Sequence, residues 1–118
     1  MRDLIIIGDL QIWQQPLDKI RMNWDEATSS VKKLGLGWRL PTIKEFKETL
    51  YPGRSGMLDI GRDYYWSSTE NPYYSDIAWT FSLYAGYSSS YPKEHSYRVL
   101  AVRDFGGETA LEILLKDF

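Results

Sequence analysis

The clearest structural signal in this 118-residue chain is the segment Gly37-Trp38-Arg39-Leu40-Pro41-Thr42-Ile43-Lys44-Glu45-Phe46. Thr42 and Glu45 have the spacing of a capping box, in which each side chain accepts a hydrogen bond from a backbone N–H at the helix start. The apolar positions that follow share one helix face, which predicts a buried stripe formed by Ile43, Phe46 and Leu50. Proline cannot continue a helix, so Tyr51-Pro52-Gly53 is predicted to end it.

A second helix is predicted upstream of this segment. Asn23 stands three residues before Glu26, which is an asparagine form of the same capping box, and Gly35 is predicted to end the helix. Its buried face is formed by Ala27, Val31 and Leu34. Between the helices, Gly37–Leu40 is predicted to be extended and to pack under both. The chain opens with the apolar stretches Leu4–Ile7 and Leu10–Ile12, which predict one or two strands broken at Gly8-Asp9.

Downstream of Asp63 the apolar period changes from 3.6 to 2, which is typical of strands. Three strands are predicted, at Tyr64–Ser68, Ile77–Tyr84 and Tyr97–Arg103, the last being apolar enough to be central. In the second strand Ile77, Trp79, Phe81 and Leu83 face one side, while Ala78, Thr80, Ser82 and Tyr84 face the other. Turns are predicted at Asn71-Pro72 and Ala85-Gly86. Two helices followed by strands indicate an α+β domain, with the helices packed on a small twisted antiparallel sheet.

The tail, residues 106–118, follows Gly106-Gly107 and has apolar residues at helical spacing: Leu111, Leu114, Leu115 and Phe118. This spacing predicts a short amphipathic helix, with a strand through Leu111–Leu115 as the alternative. An apolar tail of this kind could mediate self-association. The oligomeric state does not follow from the sequence.

Composition limits the possible functions. The length and mass, 118 residues and 13.8 kDa, indicate one domain over residues 1–118. A net charge of −2 argues against a nucleic-acid partner, which would require a basic surface. The absence of cysteine excludes disulfides, cysteine-ligated metals and thiol catalysis. The longest apolar run, Leu4–Ile7, is too short for a membrane span or a signal-peptide core, so neither membrane insertion nor an export signal is expected in this chain.

Aromatic residues are unusually frequent, at 15%, and unevenly placed. The window Tyr64–Tyr97 holds eight of the nine tyrosines and eight of the eleven serines, but only one of the fourteen basic residues, Lys93. Tyrosine with serine is the mixture that antibody-type binding surfaces use, although both residues also suit twisted strands and their turns. Trp38, Trp66 and Trp79 are predicted to be core residues, whereas the position of Trp13 is left open.

Several blocks appear in the order that a known family shows: Asn23-Trp24-Asp25-Glu26-Ala27, Gly37–Thr42 leading into Glu45-Phe46, Tyr65-Trp66-Ser67-Ser68-Thr69, and Val99–Arg103. This pattern resembles the C-terminal domain family of bacterial collagen-like adhesins, a group with the C-type lectin fold. The resemblance covers about residues 10–105. It implies a C-type-lectin-like domain that binds a ligand and is displayed on a bacterial or virion surface.

Three functional groups of proteins share that fold, and their characteristic residues can be compared with those of this chain. Formylglycine-generating enzymes need cysteine, which this chain lacks. Calcium-dependent lectins use a Glu-Pro-Asn or Gln-Pro-Asp loop with a Trp-Asn-Asp strand; here Glu70-Asn71-Pro72 has the wrong order and Asn23-Trp24-Asp25 falls on a predicted helix. The third group, the variable proteins of diversity-generating retroelements, carries a stretch whose codons mutate at adenines. An asparagine codon mutated in this way gives residues such as Tyr, Ser, Asp and His, but never Lys or Glu, so Lys93 and Glu94 would have to be fixed positions.

The sequence, with this resemblance, therefore predicts a non-enzymatic ligand- or receptor-binding module that is the variable protein of a diversity-generating retroelement. It is expected to bind diverse ligands, chiefly protein surfaces, through a Tyr/Ser-rich recognition segment, residues 64–105. Its predicted ligand-binding residues are Tyr73, Tyr74, Ser75, Asp76, Tyr84, Tyr87, Ser88, Ser89, Ser90, Tyr91, His95 and Tyr97. His95, the only histidine, is interpreted as a loop residue of that surface, because the chain has no Gly-x-Ser-x-Gly elbow and one histidine is too few for a metal site. Arg39 and Arg103 are predicted to be structural. No catalytic residue, cofactor or metal is expected; the alternatives are a carbohydrate-binding adhesin module and a structural or assembly domain.

Overall fold

The computed structural model describes residues 4–14, 17, 19–57 and 60–105. Its strands are β1 Leu4–Ile7, β2 Leu10–Trp13, β3 Arg21–Met22, β4 Tyr64–Glu70, β5 Ile77–Ser82, β6 Tyr87–Pro92, β7 Tyr97–Arg98 and β8 Ala101–Asp104. Helix α1 spans Trp24–Lys32, and helix α2, Ile43–Glu45, continues directly into a π-helical segment, Phe46–Leu50; a 3₁₀ turn follows at Arg54–Gly56. The predicted tail, residues 106–118, lies outside the described residues. Over the described part of the chain, no helix has the length and apolar character needed to cross a bilayer.

The strands form two sheets, which confirms the α+β class but corrects the prediction of one antiparallel sheet. The small sheet has the order β1-β2-β8 and the large sheet the order β3-β7-β4-β5-β6. All neighbours are antiparallel except β4 and β7, which pair in parallel. The predicted strand Tyr97–Arg103 is in fact two strands, because the chain leaves the large sheet at Val99 and enters the small sheet at Ala101.

The opening hairpin and both helix starts are confirmed. The strands β1 and β2 pair across a turn in which Gly8 has a φ of +61°, a conformation that favours glycine. At α1 the Glu26 N–H donates to Asn23 Oδ1 at 2.9 Å, and the Asn23 N–H donates to Glu26 Oε1 at 3.2 Å. The second capping box closes in the same way, with both hydrogen bonds between Thr42 and Glu45 present.

Two apolar cores lie on the two faces of the large sheet, because successive strand residues point in opposite directions. Tyr65 and Phe81 belong to one core, while Trp66 and Ala78 belong to the other, with α1. Trp38 and Trp66 are buried as predicted. The prediction for Trp79 is wrong: its side chain is half-buried and belongs to neither core.

Arg39 and Arg103 are structural, as predicted. The Arg39 guanidinium binds Glu45 at 2.7 Å and Asp104 at 2.9 Å, which ties α2 to β8. Arg103 is buried, donates to Gln11 Oε1 at 2.7 Å and stacks over the Trp38 ring at 4.4 Å.

Strand β6 has no counterpart in the sequence prediction, because its serines and the preceding glycine are typical of turns. It forms because all six of its residues pair in register with β5. The turn before it needs Gly86, which has a φ of +82°; a Cβ there would lie 2.5 Å from the ring of Tyr51.

Candidate functional site

Four tyrosines from three strands of the large sheet form one cluster, called here the tyrosine cluster: Tyr64, Tyr87, Tyr91 and Tyr97. The strand register places them on one face. Ser82 of β5 pairs with Tyr64 of β4 on one side and Tyr87 of β6 on the other. Tyr91 lies four residues after Tyr87 on β6 and therefore points to the same face.

Tyr64 is the centre of the tyrosine cluster. Its ring centroid lies 6.0 Å from that of Tyr87, 5.4 Å from that of Tyr91 and 5.9 Å from that of Tyr97. The rings of Tyr91 and Tyr97 are 5.0 Å apart, and the hydroxyls of Tyr64 and Tyr87 form a 2.7 Å hydrogen bond. These distances fall in the range of favourable aromatic pairs, so the rings hold one another in place.

Small side chains on the central strand make this arrangement possible. Strands β4 and β6 are separated by β5, so their backbones are roughly 9.5 Å apart, yet the rings of Tyr64 and Tyr87 meet at 6.0 Å. The rings must therefore lean toward each other over β5. The β5 residues on this face are Ala78, Thr80 and Ser82, which are all buried. We call these three the floor of the cluster; larger side chains there would occupy the space that the rings use.

The hydrogen bonds between the phenols shift their pKa values in opposite directions. Hydrogen bonds with Tyr87 and Tyr91 lower the pKa of Tyr64, because they stabilise its phenolate. The same bonds raise the pKa of Tyr87 and of Tyr91. Burial is the main cause of the raised pKa of Tyr97. Tyr64 is therefore the cluster member that ionises first as the pH rises.

The turn after β6 lies beside the cluster and is firmly anchored. His95 Nδ1 lies 3.2 Å from the Tyr97 hydroxyl. The Lys93 ammonium lies 4.2 Å from the ring centroid of Trp24 and 2.7 Å from Glu70, and the Lys93 backbone N–H donates to Asp76 O at 2.8 Å. Lys93, the one basic residue of the Tyr64–Tyr97 window, is thus engaged in holding the turn.

The predicted ligand-binding residues do not all share one surface. Tyr87, Ser89, Tyr91, His95 and Tyr97 come together at the cluster. Tyr73, Tyr74, Ser75 and Asp76 lie in the β4–β5 turn, at the end of the strands where Ile77 pairs with Pro92, and Asp76 O accepts a hydrogen bond from the Lys93 N–H in the neighbouring turn. There the Asn71 side chain accepts hydrogen bonds from the backbone of Tyr73 and Tyr74.

The remaining predicted residues lie elsewhere. Tyr84 is exposed in the β5–β6 turn, with the Arg62 guanidinium 4.8 Å from its ring centroid. Ser88 and Ser90 lie on the opposite face of β6, because they alternate with Tyr87, Ser89 and Tyr91. Tyr64 was absent from the predicted set. The sequence could have indicated its position, because Tyr64 and Trp66 are two residues apart in a strand and therefore point to the same face of the sheet.

A cavity of about 500 Å³ is lined by residues that belong to both apolar cores. Trp13, Leu17, Tyr65 and Leu100 contribute its apolar lining, and the ion pair between Arg21 and Asp63 lies at its border. Among the described residues, no group of three or more His, Asp or Glu side chains could hold a metal ion.

Together these features define a small α+β domain in which four tyrosines form a partly exposed cluster on one face of the large sheet. The chain belongs to the Lcl C-terminal domain family, whose family model matches residues 10–103. Membership supports a C-type-lectin-like domain and indicates a ligand-binding or adhesin-like module. No curated protein matches the chain.

Proposed function

We propose that this chain is a non-enzymatic binding module and that the tyrosine cluster is its ligand-binding surface, with protein surfaces as its ligands. The proposal depends on one observation: four tyrosines pack against one another, with ring centroids 5.0 to 6.0 Å apart, and together form a partly exposed aromatic patch. Tyrosine offers a large contact area with little conformational entropy to lose on binding. Tyr87, 49% exposed, and the other exposed hydroxyls supply hydrogen bonds at the edge of the patch.

The placement of charged and polar residues supports a protein ligand. Protein interfaces are enriched in tyrosine and depleted in lysine at their centre. The cluster has this composition, because Lys93 is withdrawn onto Trp24 and Glu70 instead of facing a ligand.

The finer part of the proposal is that the chain is the variable protein of a diversity-generating retroelement. Residues that adenine mutagenesis of an asparagine codon can produce occupy exposed or half-exposed positions in the β4–β5 turn, in β6 and in the turn after it. Lys93 cannot arise in this way, and its side chain is 16% exposed and doubly anchored. Glu94 cannot arise in this way either, so Lys93 and Glu94 would be constant positions between variable-type residues, and the anchoring of Lys93 supports that role for the lysine.

The experiment uses binders selected from a displayed peptide library against the wild-type chain. Tyr87→Ala combined with Tyr91→Ala is expected to weaken those binders about tenfold or more, as the loss of central aromatic contacts does in other interfaces. The matched control is Tyr73→Ala combined with Tyr74→Ala, which removes two exposed tyrosines of the β4–β5 turn that make no ring contact with the cluster. Binders that lose affinity only in the control variant would contradict the assignment of the surface.

A carbohydrate-binding adhesin module is the second candidate, because the faces of tyrosine rings can stack on pyranose rings. A glycan array probed with and without a chelator separates the two. Selective, chelator-insensitive glycan binding that depends on Tyr87 and Tyr91 would favour the carbohydrate function. The retroelement origin is tested separately by sequencing downstream of the gene, where a near-identical repeat differing only at adenines, beside a reverse transcriptase, is expected.

A further inference from the structure

Strand β6, Tyr87–Pro92, is an edge of the large sheet. On its inner side all six residues pair with β5 in unbroken register, from Ile77 with Pro92 to Ser82 with Tyr87. On its outer side no strand of the described chain pairs with it. A regular edge strand offers a row of backbone donors and acceptors on which another strand can form.

The alternation of bonded and non-bonded pairs between β5 and β6 identifies which β6 residues point their backbone N–H and C=O groups to the outer edge. The Ile77 N–H donates to Tyr74 O at 3.2 Å, and Ile77 O accepts from the Asn71 N–H at 3.0 Å, so Ile77 makes no backbone bond to Pro92. Bonded and non-bonded pairs alternate along an antiparallel ladder. The pairs that Ser88 and Ser90 form with β5 are therefore also non-bonded, and their N–H and C=O groups point to the outer edge.

Two observations agree with this assignment of bonded and non-bonded pairs. Thr80 Oγ1 donates to Ser89 O at 3.0 Å, which places the Ser89 carbonyl on the β5 side. Pro92 has no N–H, and an outward-facing position is where a strand tolerates proline. Among the described residues, the backbone groups of Ser88 and Ser90 have no backbone partner outside the sheet.

The usual protections against edge pairing are largely missing from β6. Natural edge strands are commonly very short, bulged or charged. The opposite edge of the same sheet is protected in this way, since β3 has two residues, one of them Arg21. Strand β6 has six residues, no charge and no bulge, with Pro92 only at its end.

The sequence of the strand indicates which partner fits. Tyr87-Ser88-Ser89-Ser90-Tyr91 reads the same in both directions about Ser89. Two antiparallel copies related by a two-fold axis at Ser89 would meet with matched residues, as an isologous interface requires. Ser88 would then lie opposite Ser90 of the partner subunit, and their outward groups would exchange both backbone hydrogen bonds.

From this register we propose that β6 is a homodimer interface, in which β6 of a second copy pairs antiparallel with it and joins the two large sheets into one. Tyr87 lies opposite Tyr91 of the partner subunit, a cross-strand aromatic pair that adds side-chain packing. Both tyrosine clusters lie on the same face of the joined sheet and form one continuous patch. The interface uses the strand edge, so it does not depend on the ligand-binding role proposed for the cluster face.

The register is tested by two variants that differ only in charge pattern. Ser88→Lys with Ser90→Lys places lysine opposite lysine at both contacts, whereas Ser88→Lys with Ser90→Glu places lysine opposite glutamate. Sedimentation equilibrium on the full chain is expected to give twice 13.8 kDa for the wild type and for the Lys/Glu variant, and 13.8 kDa for the Lys/Lys variant. A monomeric wild type, a Lys/Lys variant that stays dimeric, or a Lys/Glu variant as dissociated as the Lys/Lys variant would overturn the proposal.

A crosslink provides a second readout that needs no charge change. The chain has no cysteine, so Ser89→Cys introduces a single thiol at the two-fold axis. Facing residues of a non-bonded antiparallel pair have Cα atoms roughly 4.5 Å apart, within reach of a disulfide. Mild oxidation is expected to give a covalent dimer with Ser89→Cys but not with Ser29→Cys on the exposed face of α1. Equal crosslinking of both variants, or none with Ser89→Cys, would contradict the register.

Discussion

Replacing Arg39 by methionine tests how the Gly37–Phe46 segment holds the two halves of the scaffold together. The two terminal nitrogens of Arg39 each lie 2.7 Å from one Glu45 carboxylate oxygen, and one of them also lies 2.9 Å from Asp104. The same residue pairs by its backbone with Val102 of β8, at 2.9 and 2.8 Å. Methionine keeps the apolar stem and removes the charge, so Arg39→Met isolates the ion pair from the backbone bridge.

The magnitude follows from the geometry and the exposure. A hydrogen bond to a charged group stabilises a fold by about 1.5–3 kcal/mol when it is shielded from water. The side chains of Arg39 and Glu45 are 34% and 22% exposed, so solvent screening reduces the contribution of the bidentate pair. Arg39→Met should therefore lower the free energy of unfolding by about 2 kcal/mol near neutral pH.

The loss should depend on pH with a definite sign. Burial by itself raises the pKa of Glu45, but hydrogen bonds from Arg39 and the Thr42 backbone outweigh it and leave the pKa below its ordinary value of 4.5. Because the pKa is lowered in the folded state, the stabilisation is fully present above the unfolded pKa. It is lost as the pH falls through the folded pKa. The difference between Arg39→Met and wild type should thus shrink on acidification.

Urea unfolding followed by tryptophan fluorescence, at about pH 7 and about pH 3, measures this difference. Lys44→Met is the control, because it removes an exposed cation from the same helix and should change stability by less than about 0.5 kcal/mol. An Arg39→Met loss of the same size at both pH values would refute the ion-pair explanation, as would a loss no larger than that of Lys44→Met.

Two further predictions concern the tyrosine cluster. Thr80→Val keeps the shape of the floor and removes the hydrogen bond to Ser89 O, so it should cost about 1 kcal/mol in urea unfolding, whereas Thr80→Leu overfills a fully buried site and should cost about 1–3 kcal/mol. Thr80→Leu should also weaken the near-ultraviolet circular dichroism of the tyrosines, and an unchanged spectrum would show that the rings do not lean on the floor. Alkaline titration followed by phenolate absorbance should lose its earliest step in Tyr64→Phe, and the pKa of Tyr87 should fall toward its ordinary value, because Tyr64 is what raises it. An early step that survives in Tyr64→Phe would assign it to another residue.

Features with local causes could be read from the amino-acid order. Both capping boxes join residues three positions apart, so the hydrogen bonds of Asn23 with Glu26 and of Thr42 with Glu45 follow from spacing alone. The burial of Trp38 and Trp66 was also predictable, because both stand in blocks that resemble the family, and the structural role of Arg39 was predictable because it stands in an otherwise apolar block.

Features that depend on pairing between strands far apart in the sequence could be determined only from the tertiary structure. Residues Tyr97–Arg103 are predicted as one strand, yet they divide between two sheets, because the first part pairs with β4 and the last part pairs with β2. Tyr87–Pro92 becomes a strand only because β5 pairs with it. Likewise, the sequence by itself determined that tyrosine and serine concentrate in the second half of the chain. Which of those tyrosines meet depends on the register across β5 and on the small side chains of its floor, and neither is a property of neighbouring residues in the chain.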